Sequence, residues 1–181
     1  MFSHSIESPA DGSYYSVHAE IVSDAVAEGR VSTVINVKWR SEETGRKEKS
    51  AEFYIETDDG NETLRLVHHN EVLGAVSLDT PLEGEGADPS AVDEPLGPIS
   101  DAATRLADAL VGLDPVAGCL IKGAATSVAG QTIRCWRASD SKDFFGDRAS
   151  STAGCLRSNG MKVAWNFIKR VGKCLISLGL D

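Results

Sequence analysis

The sequence predicts an α+β protein in which an N-terminal antiparallel β-meander of four to five strands precedes a C-terminal helical hairpin or bundle. Apolar residues alternate with polar ones between residues 13 and 78, and their spacing becomes helical beyond residue 98. Alternation is typical of strands with one buried face, and apolar positions three or four apart are typical of helices. We therefore expect an acidic β-rich domain over residues 1–78, a linker over 79–98 and a basic helical domain over 99–181.

The clearest strand spans residues 31–40, where polar residues alternate with Val31, Thr33, Ile35, Val37 and Trp39. Branched and aromatic side chains favour strands, so this strand should be central. Similar alternation indicates other strands at 15–21 and 51–56, and shorter runs indicate strands at 64–66 and 72–78. The short connections between these runs favour antiparallel pairing of consecutive strands.

Residues 79–98 differ in composition from both flanks. They contain four prolines, three glycines and six carboxylates, with no Lys or Arg. Acidic chains that contain several prolines stay extended. The composition therefore predicts a linker that is accessible to proteolytic cleavage.

Four helices are expected after the linker. Ser100 is a suitable cap for a helix ending near Gly112, and Asp114 and Pro115 suit the N-cap and first position of a second helix that reaches about Ala138. A short helix over 151–157 and a long one over about 161–178 complete the set.

The last helix is amphipathic and basic. One stripe contains Met161, Trp165, Ile168, Val171, Leu175 and Leu178, and another contains Lys162, Asn166, Lys169, Arg170 and Lys173. Such a helix either packs its apolar stripe on its own domain or contacts an anionic membrane surface or protein partner. For the second case, the predicted contact residues are Lys162, Trp165, Lys169, Arg170, Lys173 and, from the preceding long helix, Trp136.

All four cysteines lie in the C-terminal part. If the helix from Pro115 runs antiparallel to the stretch after residue 151, the pairs Cys119–Cys174 and Cys135–Cys155 have nearly equal residue-number sums and face each other. By contrast, Cys119 and Cys135 would be about 24 Å apart on one helix, too far for a disulfide. The spacing therefore favours two nested disulfides, with four reduced, buried cysteines as the alternative.

The N-terminal and C-terminal parts of the chain differ in the sign of their net charge. Residues 1–114 carry 8 Lys and Arg against 23 Asp and Glu, whereas residues 115–181 carry 10 against 4. The two parts thus have net charges of −15 and +6. Opposite signs predict either mutual attraction or an anionic partner for the basic part.

No secretory signal is visible at the start of the sequence, and no apolar run is long enough for a spanning helix. We therefore expect cytoplasmic synthesis, with any export by a non-classical route.

Catalytic and cofactor signatures are not found in the sequence. It contains no nucleotide-binding glycine loop, nucleophile elbow or zinc-protease motif, and no paired Cys or His spacing suited to zinc. We predict no enzyme activity, no cofactor and no metal. Basic and aromatic residues interleave between Arg134 and Arg148, but the acidic N-terminal part makes nucleic acid an unfavourable partner.

These observations support two main hypotheses. The first is a precursor or effector whose cationic, disulfide-stapled C-terminal segment is released to act on membranes or a target protein, as an antimicrobial, bacteriocin-like or toxin-like secreted peptide would. Its acidic N-terminal part would then be a pro-region or carrier. The second is a non-catalytic protein-binding module, of accessory or immunity type, whose β-sheet recognises a partner, whose helices are a structural appendage and which acts as the intact chain. A small enzyme of unknown class is a third hypothesis.

Overall fold

In the part of the chain that the structure describes, six strands form one antiparallel sheet, and each strand pairs with the next along the chain. The structure, a computed structural model, describes residues 1–7, 12–41, 45, 47–58, 61–79, 97–111, 114–140 and 148–179. The strands are β1 (Phe2–Glu7), β2 (Tyr14–Ile21), β3 (Ser32–Arg40), β4 (Lys49–Asp58), β5 (Thr63–His68) and β6 (Glu71–Ser77). The predicted α+β class and the antiparallel meander are confirmed, with one strand more than the four to five expected.

The additional strand is β1, at one edge of the sheet. It pairs with β2 so that Phe2 lies opposite Ala19 and Ser5 opposite Ser16. An edge strand needs fewer apolar residues than a central strand. The polar segment Ser3-His4-Ser5 therefore showed no clear alternation of apolar and polar residues.

The helices are α1 (Ser23–Ala27), α2 (Gly97–Val111), α3 (Pro115–Asp140), α4 (Arg148–Ser158) and α5 (Gly160–Ser177). The short α1 was not predicted. Helix α2 begins three residues before Ser100, so the last two residues of the predicted linker are helical. Residues 80–96 of that linker lie outside the described residues. Helix α3 begins as predicted, and the N–H of Ala117 donates to Asp114 Oδ1 at 3.3 Å.

One face of the sheet is apolar because the strand register aligns the alternating residues. Ala19 lies opposite Ile35, which lies opposite Phe53. Helices α2, α3 and α5 contribute to the same buried cluster as this sheet face, with residues such as Leu120, Ile121 and Phe167. The sheet and helices α2, α3 and α5 therefore share one hydrophobic core, whereas Ala149, Ala153 and Leu156 of α4 pack in a second, smaller cluster.

A buried carboxylate joins the sheet to α3. Asp114 is 3% exposed, and its Oδ2 accepts hydrogen bonds from Ser41 Oγ at 2.7 Å and from the Tyr15 hydroxyl at 3.2 Å. A buried carboxylate needs such donors, because an unpaired buried charge is costly. This contact fixes the start of α3 beside β2 and the end of β3.

Gly74 allows α2 to pack closely on β6. A Cβ atom at this position would lie 2.6 Å from the carbonyl oxygen of Pro98 and 2.8 Å from Cβ of Ala102. Only a residue without a side chain fits there without moving the helix.

We expect Gly74→Ala to lower the free energy of unfolding by about 1–3 kcal/mol, because the added methyl group overpacks the contact between β6 and α2. Gly154→Ala is the control, since a Cβ at that exposed α4 position meets no atom within 4 Å. It should raise stability by up to about 1 kcal/mol through helix propensity. Denaturant unfolding measures both, and equal effects would contradict the close packing.

The shared core also predicts the behaviour of a cut chain. We expect a protein cleaved at a protease site inserted within residues 80–96 to elute as one species without denaturant. Both disulfides lie within residues 119–174 and cannot cross-link the two pieces, so only the core holds them together. Size-exclusion chromatography checks this, with the cut protein in denaturant as the control. Separate elution under native conditions would contradict the shared core.

Candidate interaction surface

Both predicted disulfides are formed. Cys119–Cys174 joins α3 to α5, with Cα atoms 5.7 Å apart, and Cys135–Cys155 joins α3 to α4, with Cα atoms 5.6 Å apart. The pairing that the residue numbers favoured is therefore confirmed. These two bonds attach both C-terminal helices to opposite ends of α3.

The inner side of α5 packs on α3 and β1. Val163, Phe167 and Val171 are buried. The ring centroids of Phe167 and Phe2 lie 5.3 Å apart. Gly123 of α3 permits this approach, because a Cβ there would lie 2.9 Å from Cγ2 of Val171. The inner side of α5 is thus fully used by the fold.

The outer side of α5 carries large apolar side chains with no cover from the described residues. Met161 is 90% exposed, Trp165 59% and Ile176 71%. Of the six large hydrophobic residues exposed in the described ranges, five lie on α5 or directly after it: Met161, Trp165, Ile168, Ile176 and Leu178. Most of the apolar stripe seen in the sequence is therefore the exposed side of the helix, whereas Val171 and Leu175 pack inward.

Lysines flank this apolar stripe. Lys162 and Lys173 are exposed, Lys169 and Arg170 are partly buried, and Nζ of Lys169 lies 5.5 Å from the centre of the Trp165 ring. Residues 148–179 include six Lys and Arg and no Asp or Glu. We call the set Met161, Trp165, Ile168, Ile176, Lys162, Lys169 and Lys173 the α5 outer face.

Trp136 is not part of this surface. It is 5% exposed, and the guanidinium of Arg148 lies 3.3 Å from its ring centre. In the folded chain the ring is held by this cation–π contact and cannot reach a membrane or partner. Lys142, Phe144 and Phe145, three members of the basic and aromatic run between Arg134 and Arg148, lie outside the described residues.

A chain of hydrogen-bonding groups crosses the opposite face of the sheet, which the helices do not cover. Ser3 Oγ lies 2.6 Å from His18 Nδ1, and His18 Nε2 lies 3.4 Å from Glu20 Oε2. The same order of groups occurs in enzymes in which a histidine, oriented by a carboxylate, activates a serine hydroxyl as a nucleophile. The imidazole and carboxylate are 50% and 65% exposed, however, so solvent competes with both contacts, and we assign the group no catalytic role.

A groove of about 580 Å³ runs along the same sheet face and includes Glu52, Tyr54, Glu56 and His68. Burial, followed by the hydrogen bond to Glu52, raises the pKa of Tyr54. Burial and the neighbouring His69 lower the pKa of His68, which favours its neutral imidazole.

Two charged side chains of the groove, Arg30 and Glu56, are already paired within the protein. Glu56 accepts from Arg30 and Ser32 and lies 3.7 Å from Arg65. Arg30 and Glu56 therefore offer a ligand little unpaired charge, whereas the exposed Glu52 carboxylate accepts a hydrogen bond from the Tyr54 hydroxyl.

Within the described ranges, no three His, Cys, Asp or Glu side chains are grouped so as to bind a metal ion. None of the helices in those ranges has the length and hydrophobicity needed to cross a bilayer. No protein-family model, curated protein or solved structure matches this chain.

The exposure of Trp165 can be measured directly. Trp39 is 1% and Trp136 5% exposed, so Trp165 should account for most of the quenching of native tryptophan fluorescence by acrylamide. We expect Trp165→Phe to leave a blue-shifted emission with weak quenching. Unfolded Trp165→Phe is the control, in which the remaining tryptophans become accessible. Strong quenching in the folded variant would contradict the described burial.

Proposed function

We propose that the intact chain is a non-catalytic binding protein that attaches through the α5 outer face to an anionic partner. The observation that carries this proposal is the exposure of Met161, Trp165 and Ile176 beside lysines on a helix whose other side is fully packed. Contiguous exposed apolar side chains typically mark an interaction site. Burial of one such side chain contributes about 1.5–3 kcal/mol.

The local charge supports an anionic partner. The whole chain has a net charge of −9, yet residues 148–179 contain only cationic charged side chains. A cationic patch on an acidic protein orients the molecule as it approaches an anionic surface, because the remaining surface is repelled.

The shared core supports the intact chain as the active species. Removal of the helices would expose the inner sheet face, including Ile35, Phe53 and Leu66. Exposure of apolar area costs about 25 cal/mol per Å², so release of the helices needs a strong compensating interaction. The α5 outer face, in contrast, is exposed without any rearrangement.

A released C-terminal segment with antimicrobial or toxin-like action is a second proposal. One observation favours it: both disulfides lie within residues 119–174 and would keep α3, α4 and α5 connected after a cut. Each disulfide typically contributes about 2–4 kcal/mol.

Binding of the oxidised full-length protein to immobilised polyglutamate tests the leading proposal. At about 0.1 M salt the Debye length is about 10 Å, so local charges dominate. We expect the double variant Lys162→Gln and Lys169→Gln to bind about five- to tenfold more weakly, since each exposed ion pair contributes up to about 1 kcal/mol.

The matched control is Lys38→Gln with Lys49→Gln. Both of these lysines are exposed on the β-sheet part, and the variant has the same net charge as the α5 variant. It should bind as the unmodified protein does. Equal weakening in both double variants would show that net charge alone governs retention and would contradict the proposal.

A further inference from the structure

We infer that the anionic partner is a lipid bilayer, with α5 lying along its surface. This inference rests on the proposed function and names the partner class of the same surface. It follows from the shape of the α5 outer face, the arrangement of its lysines and the attachment of α5 to the rest of the fold.

The apolar residues form a ridge. Met161, Trp165, Ile168 and Ile176 follow helical spacing, so they lie within an arc of about 80° of the helix surface, over a length of about 22 Å at a rise of about 1.5 Å per residue. The surface of a single helix is convex. A convex apolar ridge can enter the boundary between lipid headgroups and acyl chains, which adapts to its shape.

The lysines lie on one side of the ridge. At about 100° per residue, Lys162, Lys169 and Lys173 share one flank, whereas the other flank leads through Ala164 and Leu175 to the protein core. Lysine stems extend along apolar surface and keep the ammonium group among headgroups. Trp165, in the ridge itself, is the residue type that favours the membrane interface.

A lipid surface fits this chemistry better than a protein does. Apart from the lysine ammonium groups and the indole N–H, the residues of the α5 outer face have no side-chain hydrogen-bonding groups. Protein interfaces usually contain about one hydrogen bond per 100–200 Å² and anchor residues that fit into pockets. Lysine ammonium groups act as point charges, which suits a diffuse layer of anionic headgroups.

The attachment of α5 limits how deeply it enters. Phe167 and Val171 remain packed on α3, and Cys174 is bonded to Cys119. Only the outer side of the helix can enter the lipid, to a depth of about 5–10 Å for an interfacial helix. The sheet and its exposed face then stay on the aqueous side.

The experiment uses the oxidised full-length protein with vesicles of phosphatidylcholine, alone or mixed with phosphatidylglycerol. With the mixed vesicles, we expect a blue shift of Trp165 emission that is absent in Trp165→Phe, and quenching by lipids brominated near the headgroup. Lys162→Gln with Lys169→Gln should weaken binding about 10- to 30-fold, and Lys38→Gln with Lys49→Gln should not.

Three results would overturn the inference, and the first of them leaves the proposed function standing. If polyglutamate binding depends on the α5 lysines but no vesicle binding occurs, the partner is anionic but is not a bilayer. If pure phosphatidylcholine binds equally well, charge recognition by the lysines is wrong. Loss of both polyglutamate and vesicle binding would reject the α5 outer face altogether.

Discussion

The packing of α3 against the inner face of the sheet is the contact on which the other elements depend. Ala124, Ala125, Val128 and Ala129 of α3 are buried in the core, and their small size lets the helix approach the large side chains of the sheet. Asp114 fixes the start of this helix through Tyr15 and Ser41. The two disulfides then fix α5 and α4 to its two ends. Helix α3 is therefore central both to the core and to the covalent cross-links.

This central position also determines which side of α5 is exposed. Phe167 and Val171 face α3, and at the α3–α5 disulfide Cys174 bonds to Cys119. These contacts set the rotation of α5 about its own axis and turn Trp165 and Met161 outward. The apolar stripe that hydrophobicity suggests as the packing side is thus largely the exposed one. Helical periodicity identified the stripe, but which neighbour α5 meets depends on long-range contacts that periodicity does not contain.

Local patterns predicted the parts of the fold that local forces determine. The alternation from Val31 to Trp39 and the Asp114-Pro115 helix start were sufficient, because strand burial and helix capping act over a few residues. The disulfide pairing was also predictable, since helical geometry restricts which cysteines can meet. The burial of Trp136 could not be predicted, because the sequence between Trp136 and its partner Arg148 has no regular hydrophobic pattern. The Ser3, His18 and Glu20 arrangement likewise depends on the unpredicted pairing of β1 with β2.

The order of the elements along the chain has a consequence for biosynthesis. The six strands leave the ribosome before any of the helices that cover their apolar face. Until α3 has been synthesised, that helix cannot cover Ile35, Phe53 and Leu66. The exposed apolar face of the nascent sheet can then associate with other chains. Folding intermediates with exposed apolar strands aggregate readily. The apolar face of the sheet is therefore covered only late in synthesis, because the α3 side chains of the shared core extend to Ile133 and Trp136.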